Sequence, residues 1–96
     1  AGSLKVLWTQ KAIDRIDEIL DHLAADSTAR AAKFCEELVD ATQQLDAQPL
    51  SGPLLPEDAA YRQLVVNNCR IVYGVMDNAV YIMTIVGPGM LYEHAI

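Results

Sequence analysis

Positive charge is scarce in this chain of 96 residues: Lys and Arg number 7 against 13 Asp and Glu, a net charge of -6. Nonspecific binding to a phosphate backbone needs a concentrated basic surface, so a general nucleic-acid binder is excluded. Cysteine is as sparse. Cys35 and Cys69 lie far apart with no metal-type partner beside either, which excludes a disulfide-stapled scaffold and a zinc site and fits a reducing compartment. No apolar run approaches the roughly 18 to 20 residues needed to cross a bilayer. The opening Ala1-Gly2-Ser3 reads as an expression scar, not a signal peptide, so a soluble cytoplasmic protein with no membrane partner is expected. Glycine-rich phosphate loops, paired catalytic carboxylates and metal-spaced histidines are also missing, and neither a cofactor nor a metal is expected.

What is present is core material. Hydrophobic residues make up 52% and charged residues 21%, a balance that excludes disorder over most of the length. At this size the chain holds one core and one domain, 1–96, with 87–96 expected as a tail. Leu4, Val6 and Trp8 alternate as a strand over 4–8 that stops at Thr9, a residue able to cap a helix. Ile13, Ile16, Leu20 and Leu23 recur at helical spacing opposite Asp14, Asp17, Glu18 and Asp21, which predicts an amphipathic helix over 10–25. Asp26-Ser27-Thr28 supplies caps, and Phe34, Leu38, Ala41 and Leu45 carry a second helix to about Ala47. Trp8 and Phe34 are expected as core anchors, and the acidic stripe of the first helix as a solvated face.

Pro49, Gly52, Pro53 and Pro56 make 48–60 a loop. Three β-rich runs follow, Tyr61–Val66, Cys69–Met76 and Ala79–Val86, joined by Asn67-Asn68 and Asp77-Asn78, residues that tolerate the positive φ of two-residue hairpin turns. The expected fold is α+β: an N-terminal strand, an α-helical hairpin and a three-stranded antiparallel meander (β-α-α-β-β-β), one sheet packed on two helices. The turns set a register in which Val66 opposes Cys69, Leu64 opposes Ile71 and Arg62 opposes Tyr73. Val75, Val80, Ile82, Thr84 and Val86 complete that face, which is expected to meet the helices. Tyr61, Gln63, Val65, Arg70, Val72, Gly74, Tyr81, Met83 and Ile85 fall on the other, a half-apolar surface suited to a partner.

Trp8-Thr9 followed by Ala12, Pro49 with Gly52, Arg62-Gln63-Leu64-Val65-Val66 and Arg70-Ile71-Val72-Tyr73, in this order, resemble the ParE/RelE superfamily of bacterial toxins, and the ParE, or plasmid-stabilisation, branch more than the RelE branch. The resemblance spans roughly Leu4 to Val86. It implies a toxin of a type II toxin-antitoxin pair, neutralised by a cognate antitoxin. ParE-like members poison DNA gyrase by protein contact, whereas RelE-like members cut messenger RNA in the ribosome with basic side chains and often a C-terminal Tyr or His. From Gln48 onward this chain has only Arg62 and Arg70 as basic residues against Glu57, Asp58, Asp77 and Glu93, too little positive charge for a phosphate-cleaving surface. It also departs from the ParE pattern. Gly74 stands where many members have a basic residue, and Val86-Gly87-Pro88-Gly89 where a His- or Arg-containing end is common, which leaves open an attenuated member that only binds antitoxin.

On this reading the partner-binding residues are Tyr61, Val65, Arg70, Val72, Tyr81, Met83 and Ile85. Arg70 has two readings, a bidentate partner contact or a cross-strand ion pair. Arg62 is placed to anchor the Pro-rich loop or pair with Glu57 or Asp58. As a ribonuclease the site would instead use Arg62, Arg70 and Tyr92, with His94 as the other C-terminal candidate. A homodimer through the same face or through the helices is compatible with the sequence.

Overall fold

The computed structural model describes residues 4–96; the expected expression scar lies outside the described residues. Strand β1 (Lys5–Trp8) turns Val6 and Trp8 toward the core and leaves Lys5 and Leu7 exposed, the period of two that a half-buried strand requires. Thr9 ends it and begins α1 (Gln10–Asp26), its Oγ1 accepting the Ala12 N–H at 3.2 Å. Between the helices one residue serves both. The Ser27 N–H closes α1 on the Leu23 carbonyl, and its hydroxyl caps α2 (Thr28–Gln43) by accepting from the Arg30 N–H. The helix then tightens into a 3₁₀ turn over Gln44–Asp46.

Past the Pro-rich segment come β2 (Leu54–Leu55), β3 (Asp58–Val66), β4 (Cys69–Met76) and β5 (Ala79–Val86). The sheet order is β1-β5-β4-β3-β2, with β1 parallel to β5 and the other pairs antiparallel. The expected meander is thus the centre of a five-stranded sheet. Part of the expected loop pairs as β2 against the start of β3, which begins at Asp58, ahead of the Tyr61 read from the sequence.

Both hairpin turns have the left-handed backbone their residues suggested, with φ of 49° and 65° at Asn67 and Asn68, 52° and 59° at Asp77 and Asn78. The β3–β4 register is the expected one, Arg62 opposite Tyr73 and Val66 opposite Cys69. The β4–β5 register follows the expectation from Met76/Ala79 to Tyr73/Ile82 and then slips. Val72 pairs with Thr84 and Ile71 with Ile85, leaving Met83 as the extra residue of a β-bulge. A slip of one residue exchanges faces. Ile85, expected on the partner face, is therefore buried with Ile71 on the helix side, while Thr84 and Val86 turn the other way. Thr9 sits at this bulge. Its Oγ1 lies 2.9 Å from the carbonyl oxygens of both Ile82 and Met83, and its N–H donates to Ile82 O at 3.1 Å.

The main core lies between helices and sheet, where Ile16, Phe34 and Leu38 meet Ile71, Tyr73 and Ile82. Ile13, expected on the buried stripe of α1, is instead exposed, and Ala12 takes the buried place. The Pro-rich segment is tied to the sheet through Gly52. Its N–H donates to the Tyr73 hydroxyl at 3.0 Å, and its carbonyl accepts from Arg62 Nη1 at 2.7 Å. A Cβ on Gly52 would stand 2.3 Å from the Gln63 carbonyl oxygen, so no larger residue fits this approach. At the other end, the residues expected as a tail form a helical turn, α3 (Tyr92–Ala95), packed on the open side of the sheet. The Thr84 hydroxyl donates to Ala95 O at 2.6 Å, and Arg15 donates to His94 O.

Candidate partner-binding face

The side of the sheet away from the helices has two parts. One is closed by the chain itself: Leu55, Val72, Val86 and Ala95 form a small second core under α3, with Tyr61, Met83, Met90 and Tyr92 packed around it. The other is open, at the two ends of β4: Val65 is exposed beside Arg70 near the β3–β4 turn, and Met76 and Leu7 are exposed around half-buried Tyr81 near the β4–β5 turn. A cavity of about 370 Å³ opens in the closed part, lined by Tyr61, Val72, Met83, Thr84, Tyr92 and Ile96. Gly74 lies between Tyr61 and the exposed Met76. A Cβ there would lie 3.1 Å from the Tyr61 ring, so the glycine lets the ring settle on the β4 backbone.

Of the sequence-derived partner residues, Tyr61, Val65, Arg70, Tyr81 and Met83 share this face with surface to offer. Val72 and Ile85 do not: the first is roofed by the C-terminal turn and the second was carried to the helix side by the bulge. Sequence reasoning missed Leu7 and Met76. Leu7 is legible in the alternation of β1, since it is out of phase with Val6 and Trp8; its nearness to Tyr81 follows only from the parallel β1–β5 pairing.

Arg70 is held by a carboxylate of its own chain. Nη1 and Nη2 donate to the two oxygens of Glu57 at 2.8 and 2.6 Å, and Nη1 also reaches Gln63 Oε1 at 3.1 Å. The hydrogen bonds from Arg70 keep the Glu57 carboxyl below its ordinary value of 4.5, and the same contact raises the guanidinium above its ordinary range. Tyr92 stands nearby with its phenol pushed above 10, first by burial and then by the negative field of Asp58, Tyr61 and Glu57. It therefore keeps its proton at neutral pH. Arg62 is on the other face, opposite Tyr73, and is committed to the loop carbonyls of Gly52 and, at 3.5 Å, Leu50. Arg70 and Tyr92 are thus brought near each other and Arg62 is not, and His94 is exposed.

On the helix side, a cavity of about 380 Å³ lies between the helical hairpin and the β3–β4 turn, with Arg30 and Lys33 at its lining. Among the described residues, no group of three or more His, Cys, Asp or Glu side chains is placed to hold a metal ion. No described helix is long and apolar enough to cross a membrane.

A parallel edge strand, a helical hairpin and an antiparallel meander make up this α+β fold, and the comparisons with known proteins assign it a family. The family model for the ParE toxin of the type II toxin-antitoxin system, parDE, matches residues 6–92, and the chain belongs to that family. The chain is also similar in fold to a solved structure of the chromosomal ParDE TA system from P. aeruginosa, with a TM-score of 0.78 and 22% identity over 92% of this chain and 99% of that one. No curated protein matches the sequence.

Proposed function

We propose that this ParE-family toxin acts in the cytoplasm by protein contact, with DNA gyrase as its target and a cognate antitoxin laid over the open sheet face as its inhibitor. One observation carries the choice of contact over RNA cleavage. The C-terminal half has only two arginines, and they lie on opposite faces of the sheet, with Arg62 committed to loop carbonyls, so Arg70 is the one cation on the partner-facing side of the meander. Phosphoryl chemistry needs free cations around a pentavalent phosphate and a base able to take the 2'-hydroxyl proton. An exposed apolar face beside a cavity serves protein binding instead.

Growth of cells expressing this chain alone, and together with the antitoxin encoded beside it, tests the pairing; supercoiling and cleavage-complex assays with purified gyrase test the target. The expected results are arrest relieved by the antitoxin and inhibited supercoiling with trapped cleavage complexes. Messenger RNA cut on translating ribosomes, with gyrase unaffected, would replace the contact reading with the ribonuclease one. Normal growth together with a tight antitoxin complex would identify an attenuated member.

A further inference from the structure

We infer that Glu57 is an internal stand-in for a carboxylate of the antitoxin: it occupies Arg70 in the free toxin and is exchanged for an Asp or Glu of the antitoxin when the complex forms. The inference rests on the antitoxin reading above and names the group that reading lacked, the chemical feature recognised at the polar edge of the face.

Four observations support it. The guanidinium already receives a carboxylate on two parallel N–H donors, which shows that its donors point to where a planar anion can sit. Arg70 projects from the same side of the sheet as Val65, its cross-strand partner, and so adjoins that exposed apolar side chain. Both side chains remain accessible, at 26% for Arg70 and 37% for Glu57, so a competitor can reach them. Finally, Glu57 can leave at little structural cost. It lies in the tight turn between β2 and β3, and that turn is pinned by the buried Leu55 next to Pro56, independently of the ion pair. An ion pair this exposed contributes little to folding, whereas the same guanidinium covered by a partner meets its anion away from water.

Exchange gives the two halves of one ion pair opposite effects on antitoxin affinity. A purely structural pair would give effects of the same sign. The test is titration of the cognate antitoxin into wild-type toxin, Glu57→Gln, Arg70→Gln and the double variant, with thermal unfolding of each free protein recorded alongside. Glu57→Gln is expected to bind about two- to fivefold more tightly, because no internal competitor remains. Arg70→Gln is expected to bind at least about tenfold more weakly, and adding Glu57→Gln to it should bring no further change. A complex that Glu57→Gln weakens or leaves unchanged overturns the exchange while leaving the antitoxin reading in place. Absence of a complex with every variant overturns the antitoxin reading and the exchange with it.

Discussion

On the helix side of the sheet, Ile71, Tyr73, Val80, Ile82 and Ile85 all stand at 0% exposure, whereas on the other side Val65, Met76 and Leu7 remain at 67, 43 and 40%. The open side is the more polar, with Gln63, Arg70 and Thr84 on it, but it carries large apolar residues as well, so hydrophobicity alone does not separate the two. What separates them is the source of the cover. Two amphipathic helices cover one side and leave Val75 as its exposed margin, while the other has only a four-residue turn and the β2–β3 edge to roof part of it. The sealed side holds the fold together. The open part keeps apolar area in water at roughly 25 cal/mol per Å², energy that becomes available when a partner covers it.

Substitutions that break this contrast should have effects in a definite order. Ile82→Ala removes a fully buried side chain from the sealed face and should cost about 2–5 kcal/mol by chemical denaturation. Gly52→Ala forces a Cβ into the Gln63 carbonyl, and a loss of about 1–3 kcal/mol is expected in the same measurement. Thr9→Val keeps the shape but deletes the α1 cap and the hydroxyl at the bulge, for about 1–2 kcal/mol. Val65→Ser on the open face should change stability by no more than about 0.5 kcal/mol while weakening the antitoxin complex measurably in calorimetry.

The smallest effect concerns pH. The folded-state carboxyl of Glu57 is held below its ordinary 4.5, so its stabilising contribution is fully present above that value and is lost as pH falls through the lower folded value. The thermal midpoints of wild type and Glu57→Gln should therefore differ slightly at neutral pH and converge in acid. A difference that persisted well below pH 4.5 would show that the substitution acts through something other than this charge.

The sequence marks some of these features locally and others only through the assembled sheet. Asn67-Asn68 and Asp77-Asn78 announce their turns because few other residues adopt that backbone, and the β3–β4 register follows from them. The bulge carries no such mark. Val80 to Val86 is apolar on both phases, so a slip at Met83 leaves the period-two pattern looking intact, and the faces of Thr84, Ile85 and Val86 are misassigned. Thr84 is the one hint: a hydroxyl expected against the helices instead faces away from them and holds Ala95 O. Arg62, on the helix side near a strand end, is legible as an anchor for the Pro-rich loop or a partner of Glu57 or Asp58, and it is the loop carbonyl of Gly52 that it holds. The pairing of Arg70 with Glu57 needed β2, an edge strand too short to be seen in the sequence.

The order of strands has a consequence for synthesis. Among the described residues β1 finds its ladder only on β5, with Lys5 beside Ala79 and Trp8 beside Ile82, so β1 waits for β5. Closing such a distant pair costs more chain entropy than closing the local hairpins. A nascent chain interrupted before residue 79 has no place for β1 and no finished sheet. The toxin's sheet is thus completed only when β5 has been made.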